Sequence, residues 1–299
     1  MKHTVKVTVV LLLLFLLIQF IGIAVLQQYV DQDKSIEQHK VVFGELPIGE
    51  RPPLEQNTSY VTVIFAVLIG TGLAFLLMRY NLIRLWKAWF FIALLISIFV
   101  SFGAFMPIWL AFSLSFVFSS WRILKPNFLI QTGTELFVYP GLAAIFVPLF
   151  SLSSISILLV LISIYDAYAV WKSKHMITLA KSQAKAKIFA GLLVPYSEKE
   201  NKIIHHQPKA LGKEQRVGKM SIRTAVLGGG DVAFPLLFAG VVFKEIGLWQ
   251  SLIIPLFAAL GLLLLFWKAE EKKFYPAMPF ISAGCFIGLG VVWLIGFLF

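Results

Sequence analysis

The chain has 299 residues, 59% of them hydrophobic and 14% charged, and a mean hydropathy of +0.86. A soluble domain carries about 25% charged residues, so this composition excludes a water-soluble globular protein and describes an all-α polytopic membrane protein. The single cysteine, Cys285, excludes an intrachain disulfide and any multi-cysteine metal site, and the net charge of +11 must be judged by where it falls.

Residues 1–6 carry Lys2 and Lys6, and residues 7–26 follow without a charge. That run is longer than the apolar core of a secretory signal and lacks an Ala-x-Ala cleavage pattern, which predicts a first transmembrane helix. Residues 27–59 are polar, with six acids against Lys34, Lys40 and Arg51, and form a loop. Asn57-Thr58-Ser59 matches a glycosylation acceptor but abuts the next span and is read as chance. The second span, 60–78, is closed by Arg79, Arg84 and Lys87. Residues 88–121 are then uncharged. As one helix they would measure about 51 Å against a hydrocarbon core of about 30 Å, so they divide into two spans turning near 103–107. Residues 136–171 hold one charge, Asp166, and divide at the serine-rich stretch 151–156. Residues 172–223 are a strongly basic loop, after which 224–243, 248–267 and 274–299 bring the expected count to nine spans.

Charge placement orients these spans. With the N-terminus cytoplasmic, the inside segments hold 2, 3, 2, 12 and 3 Lys/Arg in chain order, which is 22 of 26, leaving Lys34, Lys40, Arg51 and Lys244 outside. The basic charge is therefore an orientation signal, helped by anionic lipid headgroups, and implies no nucleic-acid partner. Three segments result: 1–171 with six spans and an external loop at about 27–59, a cytoplasmic loop at 172–223, and 224–299 with spans seven to nine and an external C-terminus. The start of the 172–223 loop reads equally as an amphipathic interfacial helix, with Lys174, Lys181, Lys185 and Lys187 among apolar residues, or as a solvated linker.

Two acids lie well inside apolar runs. Asp231 is the only charge in 224–243 and follows Gly228-Gly229-Gly230; Asp166 stands six residues before Lys172. A lone aspartate in a span costs about 2.5–3.5 kcal/mol, and each glycine disfavours a helix interior by about 0.8–1.0 kcal/mol, so the pattern reads as a site. Counted from the flanking bases at 1.5 Å per residue, the two acids lie about 9 and about 12 Å from the same membrane face. Two facing carboxylates in low dielectric share one proton, the state in which one activates water and the other donates to a peptide carbonyl. At the inner start of the last span, Pro276-Ala277-Met278-Pro279 is expected to be extended, offering free backbone to a substrate.

Tyr165-Asp166, Gly228-Gly229-Gly230-Asp231 and Pro276-Ala277-Met278, in this order and spacing, resemble the presenilin and signal peptide peptidase family of intramembrane aspartyl proteases, in its peptidase and archaeal branches. The resemblance implies a nine-helix presenilin-like fold, a GxGD-type aspartic endopeptidase with Asp166 and Asp231 catalytic, and substrate binding by Tyr165, Gly228, Gly229, Gly230, Pro276, Ala277 and Met278. It implies no metal and no cofactor. The partner it implies is a transmembrane-helix or remnant signal-peptide substrate, in type I orientation given an inside N-terminus. Met278 stands where the family has leucine, and Gly229 fills a slot that usually holds a larger apolar residue. Residues 221–227, rich in β-branched side chains, are expected to become a strand only when substrate joins them. The alternative is an ion- or proton-coupled transporter or cation channel that uses the two aspartates at a broken helix. His205 and His206 lack ligand partners in the sequence and are read as solvated; no His-Glu-x-x-His or in-span Gly-x-Ser supports another protease class.

Overall fold

A helix that is apolar on every face has no side to show to water and must be surrounded. Residues 229–245 form such a helix, and in the computed structural model five other long helices pack against it. The structure describes residues 5–51, 55–56, 58–80, 82–173, 190–198, 221–269 and 275–298. The proposed interfacial helix at 174–188, Asn57, His205 and His206 lie outside the described residues.

The elements, in order, are α1 (Val5–Gln28), α2 (Gln32–Gln38), α3 (Ser59–Arg79), α4 (Ile83–Gly103), α5 (Ile108–Leu124), α6 (Phe128–Phe146), α7 (Leu152–Tyr168), β1 (Gly191–Glu198), β2 (Ser221–Gly228), α8 (Gly229–Glu245), α9 (Leu248–Ser251), α10 (Ile253–Lys268) and α11 (Met278–Leu298). Among the described residues, six helical segments are long and apolar enough to cross a membrane, and α5 is a shorter apolar helix. The chain is a multi-pass membrane protein.

Both long apolar runs divide where expected. Pro107 separates α4 from α5, its extended backbone setting the turn and its carbonyl accepting from Leu110 and Ala111. Ser151 opens α7 with a capping box, its hydroxyl accepting from the Ser154 amide at 3.3 Å while Ser154 Oγ accepts from the Ser151 amide at 3.0 Å. The fifth span, α6, begins earlier than the charge pattern implied, at Phe128, because Asn127 is already extended and helix formation needs only to clear Pro126. That extension brings Glu135 inside the helix, a buried acid absent from the expected pair.

The seventh span is a second correction. Its helix starts at Gly229, not at 224, and the residues before it form β2, antiparallel to β1 in the register Gly191↔Gly228 through Glu198↔Ser221. The strand is present with the chain's own β1 as partner, so it does not wait for a substrate. Its alternation is that of a half-buried strand: Ala225 and Leu227 are buried and Val226 between them is exposed. Leu192 on β1 is buried opposite Leu227.

Helix α8 packs against α1, α6, α7, α10 and α11, and every residue from Pro235 to Phe243 is buried. Cys285 is a buried packing residue of α11. Helices α4 and α6 cross at Gly141, where a Cβ would collide with the carbonyl of Ser97. Small residues permit such approach in membranes, where packing rather than hydrophobic transfer holds helices together.

Backbone cannot yield as a flexible side chain does, so Gly141→Ala is expected to destabilise the protein by about 1–3 kcal/mol. Gly133→Ala, on the same helix with open space around the new Cβ, should be neutral or stabilising by up to about 1 kcal/mol. Thermal unfolding in detergent distinguishes them, and equal midpoints would rule out the close α4–α6 crossing.

Candidate active site

The two acids reach one place from different elements. Asp166 lies in the last turn of α7, 8% exposed, just before the helix widens into a π turn over Ala169–Ser173. Such widened turns recur at functional sites because they re-aim the residues beside them. Asp231 lies in the first turn of α8, and the two carboxylates are close enough to interact electrostatically. The structure brings the two expected acids within electrostatic reach of each other, with Asp231 at a helix start rather than within a span.

Each carboxylate faces unpaired amides of a helix N-terminus. The first four N–H groups of a helix lack internal acceptors and carry the positive end of its dipole. Met278 opens α11, and its amide donates to Asp166 Oδ2 at 3.1 Å. Pro276 and Met278 are buried and Ala277 half-buried, so the Pro-Ala-Met segment meets Asp166 through its backbone. The expected extended stretch is shorter than the sequence implied: Pro279 is already in the first turn of α11, where proline forfeits no internal bond. The hydroxyls of Ser163 and Ser282 lie 2.8 Å apart and tie α7 to α11 one turn away.

Gly228 ends β2 and caps α8 with φ −63° and ψ 148°. Asp231 turns back onto it, with Oδ2 3.0 Å from where a Gly228 Cβ would stand, the position from which a third-residue acid reaches the cap amide. Gly229 is the tightest of the three glycines. Its amide donates to the Ala190 carbonyl at 3.3 Å, and a Cβ there would lie 2.8 Å from the Tyr139 hydroxyl. Gly230 faces only the Phe234 ring, which would lie 3.4 Å from a Cβ at that position. Tyr165 is 59% exposed and Tyr168 57%, so both point out of the helix packing while Asp166 points in.

Several polar residues of the site carry no mark in the sequence. Gln19 of α1 donates from Nε2 to the Val232 carbonyl at 2.9 Å, beside Asp231. Glu135 and Arg122 form an ion pair at 2.5 Å, both buried. The signal for Glu135 is a charge one residue before an apolar run; Arg122 reads from the sequence only as an orientation charge. Among the described residues no group of three or more His, Cys, Asp or Glu is placed to hold a metal ion.

A multi-pass helical membrane protein that brings together two acids, one in the last turn of α7 and one in the first turn of α8, is the class that this fold and site define. The family model described as "Signal-peptide peptidase, presenilin aspartyl protease" matches residues 47–299, and the chain belongs to that family. Two crystal forms of a presenilin family intramembrane aspartate protease share the fold. The C222 form has a TM-score of 0.63 at 17% identity, covering 96% of this chain and 99% of that one; the P2 form has 0.60 at 17%, covering 95% and 96%. No curated protein matches the sequence.

The contact between Gly229 and Tyr139 gives a thermodynamic test. Gly229→Ala should destabilise by about 1–3 kcal/mol, and Tyr139→Phe should relieve part of that loss, with a coupling of at least about 0.5 kcal/mol in a double-mutant cycle of thermal unfolding. Strict additivity would mean that the two residues do not touch.

Proposed function

We propose that this family member hydrolyses peptide bonds within transmembrane segments, with Asp166 and Asp231 as the catalytic dyad. The observation that carries the reading is the convergence of the two acids, one of them held by the Met278 amide. One carboxylate takes a proton from water as the water oxygen attacks the scissile carbonyl. The other, protonated, donates to the carbonyl oxygen and then to the leaving nitrogen. The pair titrates as a unit, so acid and base are roles of the dyad and not of one residue. Family membership favours hydrolysis over the ion-pathway alternative, and no cofactor is required.

The substrate is a membrane-spanning helix or remnant signal peptide. Tyr165, on the open side of α7, the three glycines and the Pro276-Ala277-Met278 segment line its approach. Its unwound residues would add to β2, because in the two-stranded sheet of the described residues β2 is paired to β1 along one edge only. Nine spans, with the N-terminus cytoplasmic and the C-terminus external, follow from the 22 inside bases of 26 and favour type I substrates.

Asp166→Asn and Asp231→Asn should each lower cleavage of a labelled transmembrane peptide by purified protein below detection, with unchanged expression and thermal midpoint. Substantial cleavage by either variant would remove that residue from the dyad. For orientation, a reporter fused after Lys199 should read as cytoplasmic and one at Gln38 as external. The reverse result would invert the enzyme and favour type II substrates.

A further inference from the structure

A second buried polar cluster lies behind the proposed dyad and ends on the same turn. Glu135, 1% exposed, accepts at Oε1 from Arg122 Nη2 at 2.5 Å and from the Gly191 amide at 3.1 Å. Arg122 Nη1 donates to Thr134 Oγ1 at 2.7 Å. Two more α6 side chains hold the same strand: Gln131 Nε2 donates to the Gly191 carbonyl at 3.1 Å, and Thr132 Oγ1 to the Leu193 carbonyl at 3.2 Å. The residue before Gly191 is Ala190, whose carbonyl receives the Gly229 amide. Tyr139, one turn along α6 from Glu135, presses its hydroxyl on Gly229 from the other side. Contacts therefore run without a gap from Arg122 through Glu135 and the start of β1 to the turn that carries Asp231.

Stability alone does not account for this pair. Desolvating two ions costs several kcal/mol each, and well-packed apolar residues of similar volume are often as stable or more so. What an apolar pair cannot do is accept from the Gly191 amide and thereby fix β1 against α6. We propose that Glu135, charge-paired with Arg122, is a positioning residue that holds the Gly228–Asp231 turn in its cleavage-competent place before substrate arrives. The inference rests on Asp231 being a member of the dyad.

Apolar replacement keeps the proposal falsifiable even if a lone charge left at 122 or 135 prevents folding. The double variant Arg122→Met/Glu135→Leu should still fold, because it leaves no lone buried charge. Its amides at 229–231 should nevertheless exchange hydrogen at least about tenfold faster than in wild type. In liposomes it should cleave a labelled transmembrane peptide with kcat lowered about 10- to 100-fold and KM little changed, since misplacement of about 1 Å costs a comparable factor. Arg122→Met/Glu135→Gln, which keeps an acceptor for Gly191 without leaving a lone charge, should recover part of the lost kcat. A double variant that folds, with wild-type exchange at 229–231 and wild-type kcat, would overturn the positioning role. An inactive wild type would instead sink the proposed hydrolysis, and the exchange measurement would still decide whether the cluster holds the turn.

Discussion

A carboxylate inside a bilayer must meet hydrogen-bond donors or surrender its charge, and the Met278 amide donating to Asp166 is where this chain satisfies that demand. Backbone amides are well suited to it. They carry no formal charge that would neutralise the acid, they are fixed by the helix they begin, and the dipole behind them favours an anion. The same device serves Asp231 at the start of α8. Two helices thus begin where two acids need them, and the proline-rich entry to α11 and the glycines before α8 let those helices begin there. Pro279 has no N–H to donate to a helical ladder, so it fits the first turn of α11 and excludes a start more than a turn earlier.

Fixing the acids requires fixing α8, and its burial on all sides does so. Pro235 lacks the amide that would bond the Asp231 carbonyl, which loosens the helix one turn past the acid. Gln19 supplies an outside donor at the adjacent Val232 carbonyl. Helix α1 is accordingly more than an anchor: it contributes a buried hydrogen bond to the turn on which the proposed chemistry depends.

The parts legible in the sequence were those written as hydropathy and charge. Pro107 and Ser151 divided two overlong runs correctly, because a bilayer limits the length of a helix and these residues prefer its boundaries. That Asp166 and Asp231 come near each other was also legible, from a count of residues to the flanking bases. What failed had a common cause. Residues 224–228 are apolar enough for a span, and hydropathy does not distinguish a membrane helix from a strand buried against one; the partner that makes them a strand, Gly191–Glu198, stands across a long basic loop. Glu135 escaped because an acid at the edge of an apolar run looks like a boundary until its partner is known. That partner, Arg122, lies on another helix, and no period relates the two.

The strand found in place of a helix changes the energetics of the proposed substrate binding. A transmembrane substrate that unwinds exposes amides and carbonyls at a cost of several kcal/mol each unless they are paired again. Had 221–227 to be ordered at the same moment, binding would also bear about 1–2 kcal/mol of backbone entropy for each residue fixed. With β2 already paired to β1 across eight positions, that ordering belongs to folding, and the incoming peptide bears only its own. On the proposed reading, the Arg122–Glu135 cluster, which ties β1 to α6, would contribute to cleavage by keeping the receiving edge assembled. Preorganisation of this kind favours a site whose rate is set by how readily the substrate helix opens, and whose selectivity falls on the helical stability of the substrate as much as on its side chains.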